Sequence, residues 1–200
     1  MAMGNMVESL FADAVVALMD RNLQAVPEMR EEDYRAHERW LEIDKLCVDS
    51  LCEGDLDEGG VRFVSSAIKI AAALKRMADE ALRVGEGIRA CGPEVLPASK
   101  SLAAIPPMVE QTQSMLSDVM EALVNHDCAE AAALHLAYRE LASLDEQAVE
   151  QLGEGMLSGA IPLKLGTGFV RMAQRLQQIG DEVLDIANQV CHLSHRTGEQ

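Results

Sequence analysis

The feature that most constrains the fold of this chain is a repeated helix. Residues 74–88, LKRMADEALRVGEGI, and residues 176–190, LQQIGDEVLDIANQV, share four identical positions, each matched 102 residues later, including the acidic pairs Asp79-Glu80 and Asp181-Glu182. The same separation aligns three residues near the chain start with Met108-Val109-Glu110. A single spacing that recurs in two distant segments indicates internal duplication. The chain is therefore expected to contain two copies of one helical unit.

Composition supports a fold built only from helices. The chain has 200 residues, so two units of about 100 residues could each bury a core. Hydrophobic residues make up 48% of it but aromatic residues only 3%, which predicts cores of Leu, Ala, Val, Ile and Met. Alternating β-branched stretches bounded by turn residues are absent from the sequence, so no strands are expected.

Glycine and proline divide the sequence into six segments with helical periodicity. The pattern predicts two helices followed by a longer third, twice over, at 5–26, 31–52, 61–90, 107–125, 128–154 and 163–195. The fold class is therefore all-α, with two tandem three-helix antiparallel bundles. We expect the first unit at 1–91, a linker at 92–106 and the second unit at 107–200.

Charge and hydropathy exclude several functional classes. The formal net charge is −16, and no cluster of Lys and Arg stands out in the sequence, so nucleic-acid binding is not expected. The first 20 residues lack a basic segment and carry Glu8 and Asp13, which argues against a signal peptide or a membrane anchor. The five cysteines are scattered through helical segments and are expected to be reduced, cytoplasmic thiols.

The chain lacks the motifs of common helical enzymes and di-iron proteins. None of its five histidines follows a glutamate at the Glu-x-x-His spacing, and no nucleophile elbow or phosphate loop is present. A non-enzyme is therefore expected. Cys191, His192 and His195 could bind a transition metal, but histidines also suit the negative end of a helix dipole.

The duplicated aspartates have different neighbours in the two copies. Asp79 has Lys75 and Arg83 one helical turn away on either side, which predicts a salt-bridge network. Asp181 instead has Asp185 one turn later and no cation on that helix face. Two carboxylates at this spacing repel each other and would gain from a divalent cation or a basic partner, although exposed acid pairs are common in so acidic a chain.

The last predicted helix resembles a motif of a known family. Residues 176–188, LQQIGDEVLDIAN, are similar to the LERIGDxAxNIAE motif of the PhoU family, bacterial regulators of phosphate uptake. The first copy is similar to a weaker version of it. The resemblance covers nearly the whole chain and implies tandem three-helix bundles.

The resemblance also implies metal ligands, with departures. The family carries E(D)xxxD pairs that bind iron or zinc clusters. The trailing acids would be Asp44, Asp79, Asp145 and Asp181, but Trp40, Lys75, Leu141 and Gln177 occupy the four leading positions. The candidate metal residues are therefore mainly in the second unit, namely Asp181, Asp185, Asp145, Glu146 and Glu150, with Asp44 and Asp79 as weaker candidates. Iron, zinc, manganese or magnesium are the candidate ions, and the alternative is that no metal is bound.

The function implied by the resemblance is regulation by protein contact. It implies a cytoplasmic repressor of phosphate uptake that contacts the ATPase of the phosphate ABC transporter and the sensor histidine kinase of phosphate-starvation signalling, without membrane insertion. A homodimer is one oligomeric state that it allows. Two alternatives remain at this stage: a diverged PhoU-like adaptor of a sodium/phosphate or cation transporter, and a metal-binding helical protein.

Overall fold

The computed structural model describes residues 2–19, 23–91, 103 and 105–194, and these contain six helices and no strand. The first three helices are α1 (Ala2–Met19), α2 (Val26–Glu53) and α3 (Glu58–Cys91). The second three are α4 (Ile105–Asn125), α5 (Cys128–Leu157) and α6 (Leu163–Ser194). The predicted fold class, with two helices followed by a longer third in each half, is confirmed. The predicted linker at 92–106 falls almost entirely outside the described residues.

Prolines begin helices here rather than end them. We expected the first helix to continue to about Pro27, but α1 ends at Met19 and Pro27 lies in the first turn of α2. Likewise, Pro106 and Pro107 lie in the first turn of α4. The first N–H groups of a helix have no partner within it, so proline, which lacks this donor, fits there at little cost.

The two halves meet through their longest helices. α3 and α6 run antiparallel, since Arg62 near the start of α3 lies beside His192 near the end of α6, while Gly168 near the start of α6 lies beside Cys91 at the end of α3. The remaining helices of each half pack around these two, and α1 also touches α4. The buried side chains of both halves form one continuous core that is rich in Ala, Leu, Val and Met.

Helix α1 is apolar enough to need separate comment. Among the described residues, it alone has the length and composition to cross a membrane, with a mean hydropathy of 1.3. Eight of its residues, including Leu10 and Phe11, are buried against the rest of the protein. Helices in a protein core pass the same test of length and composition, and this burial accounts for the apolar character of α1.

The expectation that all cysteines are reduced thiols is not met. Cys128, at the start of α5, forms a disulfide with Cys191, near the end of α6. Cys47, Cys52 and Cys91 are free. The two bonded residues lie 63 positions apart, so their sequence spacing gave no sign of the pairing. The antiparallel packing of α5 against α6 brings the start of one helix to the end of the other.

Candidate functional site

The duplicated acids lie where the two halves meet. We call the seam the facing surfaces of α3 and α6 around Asp79-Glu80 and Asp181-Glu182. A cavity of about 390 Å³ opens on it and is lined by all four of these acids together with Arg76, Arg83 and Gln178. Because α3 and α6 are antiparallel copies of one helix, equivalent positions near their crossing point face each other. The repeat therefore places both copies of its acidic pair in one site.

Each duplicated glutamate receives an arginine from the opposite half. Arg76 of α3 donates from Nε to Glu182 Oε1 and from Nη2 to Glu182 Oε2, both at 2.6 Å. Arg175 of α6 donates from Nη1 to Glu80 Oε2 at 2.8 Å, and Arg83 also contacts Glu80. The glutamates are largely buried, with side-chain exposures of 15% for Glu182 and 11% for Glu80. The two-pronged contact between Arg76 and Glu182 fixes geometry as well as charge.

Asp79 takes part in a network that differs from the predicted one. Lys75 Nζ donates to Asp79 Oδ1 at 2.6 Å and to Asp33 Oδ1 of α2 at 2.9 Å. Arg83, the second predicted partner of Asp79, turns to Glu80 instead. Burial alone would lower the pKa of Lys75, but its hydrogen bonds to Asp79 and Asp33 outweigh burial and raise that pKa. Lys75 thus stays charged and links α3 to α2.

The predicted acid pair of the second copy does have polar partners. Asp181 accepts a hydrogen bond from the Tyr138 hydroxyl of α5, and this bond, followed by burial, raises the pKa of Tyr138. Asp185 Oδ2 lies 3.3 Å from Arg76 Nη2. The sequence predicted no cation beside these acids on that face of α6. In the folded chain, α3 brings Arg76 across the seam to Asp185, while the partner of Asp181 is Tyr138.

The remaining predicted metal residues are spread over α2 and α5. Asp145 is partly buried, its Oδ1 has no hydrogen-bond partner among the described residues, and burial, followed by the charge of Glu146, raises its pKa. Glu146 and Glu150 are exposed, and Asp44 is partly buried.

The leading positions of the family's metal motif hold apolar residues on these two helices. Leu141 is fully buried and packs so close to Gly180 that a Cβ added there would lie 2.6 Å from Leu141 Cδ2. Trp40 is half-buried with its ring 5.4 Å from that of His37. An acid at either place would displace a packed side chain.

These positions do not assemble a metal-ligand set. Within the part of the chain that the structure describes, no three His, Cys, Asp or Glu side chains come close enough to hold one ion. His195, which the sequence grouped with Cys191 and His192, lies outside the described residues, and Cys191 is in the disulfide. The donor set therefore does not fit the multinuclear cluster that the resemblance implies.

Sequence reasoning missed three partners of the seam acids. Arg76, Arg175 and Tyr138 were not singled out, because each acts on a helix other than its own. The one signal available was the repeat itself, since two antiparallel copies of one helix place equivalent positions opposite each other. That signal would have pointed to Glu80 and Glu182 rather than to the aspartates alone.

Comparison with known proteins gives this arrangement a family. The family model for the PhoU domain matches the chain twice, at residues 1–88 and 105–190. The chain belongs to the PhoU family. These two stretches include the seam of both halves, with the repeated Asp-Glu pair in each match.

Full-length relatives and solved structures agree with the assignment. The chain is 25% identical over 198 residues to the phosphate-specific transport system accessory protein PhoU homolog of Pseudomonas aeruginosa, covering 98% of this chain and 81% of that protein. It is 27% identical to the Escherichia coli accessory protein PhoU, covering 93% and 76%. The crystal structure of PhoU from P. aeruginosa superposes with a TM-score of 0.90 at 25% identity, over 96% of this chain and 91% of that one. PhoU from Streptococcus pneumoniae shares the fold at 18% identity, with a TM-score of 0.86 over 97% and 90%.

Proposed function

We propose that this protein regulates phosphate uptake by protein–protein contact, as a non-catalytic accessory of a phosphate transport system. The observation that carries the proposal is the match of PhoU domains to both halves of the chain. It is supported by full-length relatives that are named accessory proteins of phosphate-specific transport. The proposed partners are the ATPase of the phosphate ABC transporter and the sensor histidine kinase, and the proposed location is therefore the cytoplasm. A homodimer is compatible with this role.

The ion pairs of the seam suit a binding protein more than an enzyme. Glu80, Glu182 and Asp79 are held by arginines and a lysine, and so are already neutralised in the folded chain. Acid–base catalysts instead require a carboxylate that can exchange a proton with a substrate. The seam therefore supports a structural role, in which it fixes how the two halves are arranged.

The outer face of α2 offers a surface on which a partner could dock. Tyr34, Leu41 and Val48 follow one another at seven-residue spacing, and their exposed fractions are 58%, 49% and 45%. We call these three residues the α2 row. Residues seven apart on a helix share a face, so the α2 row places three exposed apolar side chains along one side of α2, with Glu38 and Lys45 among the polar residues between them. Exposed apolar side chains interspersed with charged ones suit a contact surface for another protein.

The test combines binding and regulation. The purified protein is titrated against the transporter ATPase and against the kinase by biolayer interferometry, and a deletion strain is assayed for phosphate uptake at high phosphate. We expect binding to both partners and derepressed uptake. Leu41→Glu should weaken binding at least about tenfold, whereas Leu136→Glu, on α5 with 61% exposure, should not. Unchanged uptake in the deletion strain, with no binding to either partner, would refute the proposal.

Binding experiments of the same kind distinguish the phosphate ABC transporter from the alternative transporters. If the gene lies beside a sodium/phosphate or cation transporter and the protein binds that transporter instead, the adaptor alternative replaces the phosphate ABC system.

Metal binding is a second candidate role. The observation that favours testing it is the state of the Asp145 carboxylate. Its buried Oδ1, which has no hydrogen-bond partner among the residues that the structure describes, is a position that a cation or a water could satisfy. Elemental analysis of protein purified without a chelating column measures any bound iron, zinc, manganese or magnesium. Loss of that metal in Asp145→Asn, but not in Glu150→Gln, would support the role. Metal that remains in Asp145→Asn would refute Asp145 as a ligand.

A further inference from the structure

A second cavity lies on the α3/α6 boundary, beyond the seam, at the end of the molecule where α3 finishes and α6 starts. Its volume is about 460 Å³, and it is lined by Arg83, Glu86, Gly87, Ala90, Cys91, Lys164, Gly168, Arg171, Met172 and Arg175. We call it the basic cavity. Gly168 allows the two helices to approach closely there, since a Cβ added to it would lie 2.8 Å from Cys91 Sγ.

The basic cavity gathers positive charge in an acidic protein. Four of the 17 Lys and Arg residues of the chain line it, namely Arg83, Lys164, Arg171 and Arg175, although the net charge is −16. Among the described residues, the one carboxylate in its lining is that of Glu86, which already accepts a 2.8 Å hydrogen bond from Arg30 Nε. The charge of the cavity is therefore positive even after its own acid is counted.

Two of these cations have no counter-ion within the described chain. Arg83 and Arg175 contact Glu80, but Lys164 and Arg171 have no ion-pair partner among residues 2–19, 23–91, 103 and 105–194. Lys164 and Arg171 lie seven residues apart on one face of α6. An anion seated in the cavity would gain a charge-assisted contact from each of them.

Both cations and the N-terminus of α6 lie near the cavity and add positive charge to it. Burial raises the pKa of the Cys91 thiol, while the charges of Lys164 and Arg171 act on it in the opposite direction, which places both cations near the cavity wall at Cys91. The first residue of α6 is Leu163, so the positive end of its helix dipole lies beside Lys164.

The matching place at the other end of the seam is not basic in the same way. The duplication puts Arg62 and Lys69 at the positions equivalent to Lys164 and Arg171, but Asp185 stands where Arg83 would be. Arg62 is also paired with Glu58 at 3.0 Å. The cationic character is thus specific to one end of the molecule and does not follow from the repeat.

We propose that the basic cavity binds a small anion that carries an oligophosphate group, held by Lys164, Arg171, Arg175 and Arg83. Several cations in one recess favour linked phosphates over a single one, because each phosphate can take a separate charged contact. The described residues that line the cavity include no aromatic side chain on which a nucleobase could stack. The recognised chemistry is therefore the phosphate chain itself, whether inorganic or part of a nucleotide.

The test is isothermal titration calorimetry of the full chain in metal-free buffer at about 50 mM salt, where charge contacts are only partly screened. The probes are sodium tripolyphosphate, ATP and inorganic phosphate. We expect tripolyphosphate to bind with a stoichiometry of one and at least about tenfold more tightly than phosphate, since a second charged contact adds about that factor. ATP binding as tightly as tripolyphosphate would support recognition of the phosphate chain alone, and tighter ATP binding would assign the site to a nucleotide's oligophosphate.

Charge-reversal variants tie the binding to the cavity. Arg171→Glu should weaken tripolyphosphate binding by at least about tenfold, and adding Lys164→Glu should weaken it further. Lys69→Glu makes the same charge change at the equivalent exposed position of the first half and should leave binding within about twofold. Circular dichroism checks that all variants remain folded.

Three results would overturn the proposal. The first is no saturable heat with tripolyphosphate. The second is an equal loss of binding in Lys69→Glu and Arg171→Glu, which would mean that only net charge matters. The third is an absence of anion binding combined with weaker association of Arg171→Glu with the transporter ATPase or the kinase, because the cavity would then be part of a protein interface.

Discussion

Neutralising Glu80 tests whether the repeated acids serve to join the two halves. Glu80→Gln keeps the size of the side chain but removes the charge that Arg175 and Arg83 contact. Losing one partner of a fully buried ion pair costs about 3–5 kcal/mol, and of an exposed pair about 0–1 kcal/mol. Glu80 has a side-chain exposure of 11%, whereas Arg175 has 33% and Arg83 has 52%. The arginines keep part of their hydration, so we expect an intermediate loss of about 1–2 kcal/mol in the free energy of unfolding.

The measurement is differential scanning calorimetry with urea unfolding as a second probe. For a chain of this size, each kcal/mol lowers Tm by about 2–4 °C, so the expected fall is about 2–8 °C. The matched control is Glu42→Gln, because Glu42 forms an exposed pair with Arg39 at 2.7 Å and should cost less than about 0.5 kcal/mol.

A double-mutant cycle isolates the contact that crosses between the halves. Combining Glu80→Gln with Arg175→Met should give a coupling energy of at least about 0.5 kcal/mol, as for residues in direct contact. If Glu80→Gln costs no more than Glu42→Gln, and the cycle shows no coupling, the seam does not stabilise the fold. The repeated acids would then have to be explained by a ligand or a partner.

Three further predictions concern the second half. Burial and the charge of Glu146 raise the pKa of Asp145 in the folded state, so the protein loses stability as pH rises through that folded pKa. Asp145→Asn should therefore raise Tm in EDTA at pH 7, by an amount that shrinks towards pH 4. A lower Tm of this variant at pH 7 would contradict the prediction. Gly180→Ala should lower the free energy of unfolding by about 1 kcal/mol, because the added Cβ would overlap the fully buried Leu141. Gly153→Ala should raise it by up to about 1 kcal/mol in urea unfolding, because no atom beyond the neighbouring backbone lies within 4 Å of the added Cβ. The Cys128–Cys191 disulfide closes a loop of 63 residues, so its reduction should lower the free energy of unfolding by up to about 4 kcal/mol. Alkylation of the unreduced, unfolded chain should modify three cysteines, not five.

The fold was predictable because the repeat and the apolar periodicity act within single helices. The stripe that includes Leu74, Ala78 and Leu82 identified α3 from its sequence alone, and the matched stripe identified α6. Errors occurred at helix ends. Pro27 was assigned to the end of α1 because the same residue can follow one helix or start the next, and local sequence does not distinguish these positions.

The candidate site was predictable only in part. The sequence pointed to Asp79 and Asp181, and both line the cavity on the seam. It supplied Lys75 as a partner of Asp79, but not the partners that come from other helices. Tyr138 of α5 contacts Asp181 across a gap of 43 residues, and Arg76 reaches Glu182 across 106. The basic cavity was also invisible, because Arg83 and Lys164 come from helix ends far apart in the chain and are diluted by an acidic composition.

The sequence by itself thus determined six helices, their order and their twofold duplication, because hydrophobic spacing and helix breakers are local properties. Tertiary structure decided which charges of different helices meet. An ion pair depends on the distance between side chains of different helices, and antiparallel packing of α3 on α6 sets those distances. For that reason Asp185, which has no cation on its own helix face, lies beside Arg76, and four cations of an acidic chain share one cavity.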